Sequence, residues 1–181
     1  MTAELAENQK LPTLRRFFRK LRRSLRPPAT GWVRLFLFEL AWLAPVVALC
    51  GNFGGWIAWQ PDFSADTFKL LAIALIAPAL GEELLFRAAL LPAPAPERSL
   101  PLGAIAFSTL LFAAWHPFQT LVHDGPFAQL MLEPTFLLAV IALGVACARL
   151  YWRSGSIWPA VALHWLVVAV FKALFGAPLP W

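Results

Sequence analysis

Long apolar stretches separated by short polar or proline-rich connections form the main pattern of this chain. A membrane-spanning helix needs about 20 mainly apolar residues, because each residue advances about 1.5 Å along the axis. Five stretches satisfy or approach this length, at 32–51, 67–91, 102–116, 134–152 and 156–175. Glycine, proline, asparagine and aspartate cluster between them, as is typical of turns. The pattern predicts an all-α fold, a polytopic membrane helix bundle of about five transmembrane helices.

The composition agrees with a membrane protein and excludes an ordinary soluble domain. The 181 residues are 60% hydrophobic and 14% charged, whereas soluble domains are about 45–50% apolar and about 25% charged. We therefore expect an integral membrane protein. We place it in the bacterial inner membrane, as the compactness of the chain suggests.

Positive charge is concentrated before the first apolar stretch. Eight of the 15 lysine and arginine residues lie between Lys10 and Arg26, with leucine and phenylalanine between them at helical spacing. Such a helix can lie on anionic lipid headgroups, and its place directly before a span favours the bilayer over nucleic acid as the partner. We predict a basic amphipathic cytoplasmic arm at 1–30 and a transmembrane domain at 31–181.

The lysine and arginine residues of the short loops predict the orientation. Arg98 and Arg153 follow the second and fourth apolar stretches, whereas the loops at 52–66 and 117–126 contain no lysine or arginine. Basic loops favour the cytoplasmic side, so the N-terminus is predicted to be cytoplasmic. Cys50 and Cys147 then lie near opposite membrane faces, beyond the limit of about 7 Å for a disulfide.

Three ionisable residues interrupt the second apolar stretch. Glu82, Glu83 and Arg87 lie within six positions, although one carboxylate at the bilayer centre costs about 2.5–3.5 kcal/mol on insertion scales. Glu83 and Arg87 have the spacing of a helical ion pair, whereas Glu82 points about 100° away and is free to act as a general base. A purely structural charge network is the alternative interpretation.

Two histidines in other apolar stretches are candidate partners of Glu82. His116 ends the third stretch, one helical turn after Phe112, and His164 lies within the fifth. A single histidine among aromatic residues usually serves packing, but two histidines and a carboxylate pair on three helices indicate a site. The third histidine, His123, falls in a predicted loop, and we assign it no specific role.

The segments that contain these residues resemble the motifs of a known family. EELLFR at 82–87, FAAWH at 112–116 and SGSIWPAVALHW at 154–165 resemble, in order and spacing, three motifs of the CAAX-protease and bacteriocin-processing (CPBP) family. These intramembrane endopeptidases include type II CAAX prenyl proteases and abortive-infection-like membrane proteins. The resemblance covers about 67–170, the motif-bearing core of a protease-like domain, and leaves the basic arm outside it.

The resemblance implies a role for each motif residue. It makes Glu82 the catalytic glutamate, His116 its partner in activating water, and His164 the donor to the oxyanion of the tetrahedral intermediate. Supporting roles fall to Glu83, Arg87, Phe112 and Trp165. The implied function is that of an intramembrane endopeptidase that hydrolyses a peptide bond of a membrane-associated protein or peptide. Prenylated proteins, bacteriocin-like peptides, leader sequences and membrane-anchored proteins all stay open as substrates.

One position departs from the family pattern. The family commonly has asparagine four residues after the last histidine, where this chain has Val168. Valine cannot donate a hydrogen bond, and loss of one oxyanion donor costs about 100- to 1,000-fold in rate. Either Trp165 or a backbone amide replaces the donor, or the protein is a weakened family member that acts as a peptide-binding membrane scaffold or bacteriocin-immunity protein.

We expect no cofactor. Glu82, His116 and His164 would form a His₂Glu set of the kind found at catalytic zinc, but the sequence lacks the H-E-x-x-H pairing that gives two ligands from one helical turn. We therefore favour a glutamate-activated water without a metal and keep zinc as the alternative. Haem ligation by the two histidines would leave both glutamates unexplained.

Overall fold

Seven helices form the regular structure of residues 13–178, which are the residues that this computed structural model describes. They are α1 (Thr13–Ser24), α2 (Trp32–Gly54), α3 (65–89), α4 (Leu102–Phe118), α5 (Gly125–Leu132), α6 (Pro134–Ser154) and α7 (Trp158–Phe175). The predicted all-α class is confirmed. Residues 1–12, which include the start of the predicted basic arm, lie outside the described residues.

Helix α3, which contains both glutamates, changes its winding twice. An α-helical segment, Ala65–Ala74, passes into a π-helical segment, Leu75–Leu80. One short α-helical segment, Gly81–Glu83, then leads into a second π-helical segment, Leu84–Ala89. Pro78 lies inside the first π segment, where it cannot donate a backbone hydrogen bond. Widened turns of this kind are rare and occur frequently at functional sites.

Among the described residues, three helices are long and apolar enough to cross a membrane: Trp32–Gly54, Pro134–Ser154 and Trp158–Phe175. They agree with the first, fourth and fifth predicted spans. Helix α4 has 17 residues, and α3 is divided by its π segments, with an initial α-helical segment of 10 residues. The protein is therefore a helical membrane protein, and the number of five spans stays a prediction.

Helix α6 lies at the centre of the bundle and packs on α2, α4 and α7. Its buried face is rich in small residues, among them Gly144, Ala146 and Ala148. A Cβ atom at Gly144 would meet the Cγ2 atom of Thr109 at 3.0 Å and the Cδ1 atom of Phe112 at 3.2 Å. The glycine therefore allows α4 to approach closely, as small residues do in membrane helix packing.

The described part of the basic arm, α1, is bonded to the rest of the bundle. The Nζ atom of Lys20 donates to the carbonyl oxygens of Ala89, at 2.6 Å, and Leu91, at 3.0 Å. These carbonyls lie at the C-terminal end of α3, where a lysine satisfies orphan acceptors. Burial lowers the pKa of Lys20. Ser24 adds a hydrogen bond of 2.8 Å between its Oγ atom and the hydroxyl of Tyr151.

Glu39, a buried carboxylate outside the three motifs that the sequence analysis left unassigned, joins α2 to α6. The side chain of Glu39 is 5% exposed, and its Oε1 atom lies 2.9 Å from the Nε atom of Arg149. Trp42 donates to the Oε2 atom of Glu39 at 2.6 Å. The carboxylate is thus paired on both oxygens, which makes its burial tolerable.

We expect Arg149→Leu to lower the free energy of unfolding by about 2 kcal/mol. Loss of one partner of a fully buried pair costs about 3–5 kcal/mol, and the side chain of Arg149 is 36% exposed, which reduces the effect. Thermal unfolding in detergent measures the change. A double variant, Glu39→Leu with Arg149→Leu, is the control and should regain stability because no lone charge stays buried. A double variant less stable than the single one would contradict this account.

Candidate active site

One cavity of about 340 Å³ brings together the residues that the three motifs contribute. Glu82 from α3, His116 from α4, and His164 and Val168 from α7 all line it. The other lining residues are mainly apolar, and they include Leu85, Phe127, Leu130, Met131, Phe136 and Phe171. Three of these six come from α5, a helix that the sequence analysis treated as a connection. The cavity is therefore a largely apolar chamber with a few polar groups at one place, as in many ligand sites.

The two adjacent carboxylates have different surroundings. The side chain of Glu83 is fully buried, and its Oε2 atom lies 3.2 Å from the Nε atom of Arg87, which is fully buried as well. The side chain of Glu82 is 14% exposed and faces the cavity. Glu83 is therefore engaged in the protein interior, whereas Glu82 can meet a bound molecule.

Arg87 is held by α4 as well as by Glu83. Its Nη1 atom donates to the Oγ atom of Ser108 at 3.2 Å, and Ser108 donates in turn to the carbonyl oxygen of Phe86. The guanidinium lies over the ring of Phe112, 4.8 Å from its centroid, which is a cation–π arrangement. Ser108 was not predicted, because a lone serine in an apolar helix gives no signal in the sequence.

His164 lies between the two glutamates. Its Nδ1 atom is 3.1 Å from the Oε1 atom of Glu83, and its Nε2 atom is 3.8 Å from the Oε2 atom of Glu82. A carboxylate at Nδ1 accepts a proton donated by that nitrogen, which fixes the orientation of the ring. The separation between Nε2 of His164 and Oε2 of Glu82 is too long for a direct hydrogen bond, but one bridging water can span it.

His116 lines the cavity and is held by its own helix through one ring nitrogen. Its Nδ1 atom is 2.9 Å from the carbonyl oxygen of Phe112, one turn earlier in α4. A carbonyl only accepts, so Nδ1 donates, and Nε2 of the neutral ring is left as an acceptor. The ring of Phe112 packs edge-on against both histidines, with centroid distances of 4.9 Å to His116 and 5.8 Å to His164.

Trp115 contacts the predicted catalytic glutamate, and the sequence analysis missed it. Its Nε1 atom donates to the Oε1 atom of Glu82 at 3.1 Å, while its indole stacks on Phe118. The only signal in the sequence was its position beside His116. Trp165, which was predicted to support the site, donates to the carbonyl oxygen of Leu71 at 2.8 Å and so ties α7 to α3; its supporting role stays a prediction.

The second oxygen of Glu82 is buried and has no hydrogen-bond partner among residues 13–178. A buried polar atom without a partner costs about 1–3 kcal/mol, so this oxygen favours a bound molecule that donates to it. Over the same residues no group of three or more histidine, cysteine, aspartate or glutamate side chains is placed to hold a metal ion. The choice between a metal-free site and zinc stays a prediction.

A comparison with known families agrees with the three motifs. A family model described as type II CAAX prenyl endopeptidase, Rce1-like, matches residues 64–170, which is more than half of the chain and includes every motif residue named above. Neither the curated proteins nor the solved structures contain a match. The family resemblance is confirmed, and it implies protease activity in an integral membrane protein.

We expect Arg87→Leu to lower the free energy of unfolding by about 3–5 kcal/mol, because it leaves the carboxylate of Glu83 buried beside an apolar side chain. Thermal unfolding of the purified protein measures the loss. Lys69→Leu is the matched control. Lys69 pairs with Asp66 at 2.8 Å, with side chains 73% and 85% exposed, and exposed pairs contribute about 0–1 kcal/mol. Equal losses in the two variants would refute a special role for the buried pair.

Proposed function

The chain belongs to the Rce1-like type II CAAX prenyl endopeptidase family, and we propose that it hydrolyses a peptide bond of a membrane-associated protein or peptide, with Glu82 as the general base. One observation carries the proposal. Glu82, His116 and His164 come from three helices and line a single cavity, in which one buried oxygen of Glu82 has no hydrogen-bond partner among the described residues. A glutamate in this position can bind and deprotonate a water molecule.

The proposed reaction begins at the Oε2 atom of Glu82. This oxygen takes a proton from water, and the resulting hydroxide attacks the carbonyl carbon of the substrate. The tetrahedral oxyanion then collapses, the carbon–nitrogen bond breaks, and Glu82 returns its proton to the leaving amine. One carboxylate thus serves first as base and then as acid.

The neighbouring side chains orient these steps. Trp115 donates to Oε1 of Glu82, which leaves Oε2 for the water. His116 offers Nε2 as a second acceptor for that water, consistent with its predicted role. His164 donates to the oxyanion when Nε2 carries a proton, and Glu83 at Nδ1 holds its ring in place. The proposal uses no metal, and zinc held by Glu82, His116 and His164 is the alternative.

The apolar wall of the cavity favours an apolar substrate segment. Phe127, Leu130 and Met131 of α5 and Phe136 of α6 line the same cavity as Glu82, and such a wall would exclude water from the scissile bond. We propose membrane-associated peptides or proteins as substrates without requiring a prenyl group. We further propose a bacterial inner membrane location with a cytoplasmic N-terminus, in which the basic arm contacts anionic headgroups.

Val168 favours a second candidate function. Its side chain lines the cavity at the position where the family commonly has asparagine, and valine offers no hydrogen bond to an oxyanion. A member weakened in this way could bind a peptide in the cavity without cleaving it, as a scaffold or bacteriocin-immunity protein does. The two functions differ in their need for the carboxylate of Glu82.

We expect Glu82→Gln to lower the cleavage rate by about 100- to 10,000-fold, the usual contribution of general acid–base catalysis. Glutamine keeps an oxygen for Trp115 but cannot take up the proton. The measurement is the accumulation of uncleaved precursors in membranes that contain the variant, compared by proteomics with the wild type. Glu97→Gln, at an exposed pair, is the control and should process normally. If the Glu82→Gln protein cleaves the precursors as fast as the wild type does, the glutamate mechanism is excluded. If neither protein cleaves any precursor and cells with the variant keep the wild-type phenotype, the scaffold function is supported.

We expect Val168→Asn to raise the cleavage rate by about tenfold, equivalent to about 1.4 kcal/mol, because the carboxamide adds a donor one turn after His164. Val168→Ala is the control, because it enlarges the cavity without a donor and should give no gain. Folded yield is measured alongside, since an amide without a partner costs about 1–3 kcal/mol. A folded Val168→Asn protein without a gain means that another group already supplies the donor or that no acyl chemistry occurs.

A further inference from the structure

Gln119 has a polar side chain in the cavity that the proposed reaction leaves without a role. The carboxamide is half-buried and makes no hydrogen bond to residues 13–178, although the backbone of Gln119 is hydrogen-bonded. Such a group is available to a bound molecule. Among the described residues that line the cavity, the polar side chains are those of Glu82, Trp115, His116, Gln119 and His164.

Helices α4 and α7 run in the same direction past this cavity. Ile105, near the start of α4, belongs to one packed cluster with Ile157, at the start of α7. Further along both helices, the ring of Phe112 lies 5.8 Å from the ring of His164. The two helices therefore advance together from their first residues toward His116 and His164.

Gln119 and Val168 lie in the same layer of the cavity. Gln119 is three residues after His116, and Val168 is four residues after His164. At 1.5 Å per residue these steps correspond to about 4.5 Å and about 6 Å along the helix axes. Both residues line the cavity, and both are displaced in the same direction from the histidines. Since valine offers no hydrogen bond, the carboxamide of Gln119 is the polar group on this side of the site.

A peptide in this layer needs partners for its backbone. Each peptide unit carries an N–H donor and a C=O acceptor, and an unpaired group in an apolar site weakens binding. A carboxamide carries an acceptor and two donors, so Gln119 can pair with an N–H and a C=O of one extended segment. Such a segment advances about 3.3 Å per residue. A displacement of about 4.5 Å from His116 therefore reaches one or two residues beyond the scissile bond.

We infer that Gln119 binds the backbone of the substrate one or two residues from the scissile bond, through both the oxygen and the nitrogen of its carboxamide. The inference rests on the proposed function and adds a substrate-binding residue to it. A contact with the backbone does not depend on the side chains of the substrate. Gln119 therefore holds extended segments of different sequence in one register against Glu82.

Steady-state cleavage of a synthetic peptide in detergent tests the inference. The peptide spans the cleavage site of a precursor that accumulates with the Glu82→Gln protein. Gln119→Met keeps the length of the side chain without its hydrogen bonds, and we expect KM to rise about tenfold with kcat changed by less than about twofold, the pattern of lost ground-state binding. Gln129→Met, at an exposed position of α5 outside the cavity lining, is the matched control and should keep both constants. A fall in kcat at unchanged KM would overturn the inference.

A series of ester analogues of the same peptide locates the contact on the backbone. Each analogue replaces one N–H within two residues of the scissile bond by oxygen and leaves the scissile amide intact. With the wild type, one analogue should raise KM about fivefold, because it removes the donor to the Gln119 oxygen. With Gln119→Met, the same analogue should raise KM less than about twofold, because its partner is already absent. Equal effects of every analogue on both proteins would overturn the inference.

Thermal unfolding separates substrate binding from a structural role. The carboxamide makes no hydrogen bond within residues 13–178, so Gln119→Met should keep the unfolding midpoint within about 2 °C of the wild type. A larger fall, or a variant that does not fold, would assign the side chain to stability and overturn the inference.

Failure of the proposed function gives a different result from failure of this inference. A wild-type protein that cleaves no precursor removes the reaction, and the role of Gln119 with it. A peptide that the wild type cleaves, and that Gln119→Met cleaves with an unchanged KM, removes the role of Gln119 alone.

Discussion

The ion pair between Glu83 and Arg87 is the interaction on which the rest of the site depends. Both side chains are fully buried, and neither charge is tolerable in an apolar bundle without the other. Side chains of two other helices contact this pair. Ser108 and the ring of Phe112 on α4 meet the guanidinium, and His164 on α7 meets the carboxylate. The same contacts that neutralise the pair therefore bring α4 and α7 to the side of α3 where Glu82 lies.

The winding of α3 makes this arrangement compatible with an adjacent pair of glutamates. Glu82 and Glu83 lie in the short segment between two π-helical segments, so neither belongs to a regular amphipathic face. Glu83 turns into the interior, and Glu82 turns toward the cavity and Trp115. Pro78 explains part of the distortion, because it removes one donor from the helix. A straight α-helix would separate the two carboxylates by about 100°, and in the structure both lie close to the ring of His164.

The sequence was sufficient for the parts that depend on local pattern. Apolar runs predicted the helices, and the spacing of Glu83 and Arg87 predicted their pair. The motifs predicted the family. The sequence was insufficient where a contact joins distant segments, because hydrophobic periodicity does not specify which helix faces meet. Examples are the contacts of Ser108 and Trp115 and the ion pair between Glu39 and Arg149. Helix α5 was missed for another reason. Its eight residues are too few to cross a membrane, so the sequence analysis treated them as a connection between two spans.

The third motif also divides into two parts with different physical roles. Its first part, Ser154 to Trp158, bonds to the segment after α1, and its second part supplies His164. A scaffold would need the first part as much as an enzyme does, so its presence does not distinguish the two. Glu82 bears on that choice. Its buried oxygen without a hydrogen-bond partner among the described residues lowers stability unless a bound molecule donates to it. A neutral amide oxygen would serve a peptide-binding scaffold equally well, whereas a base that binds and deprotonates water requires the carboxylate. On that ground we propose the protease over the scaffold despite Val168.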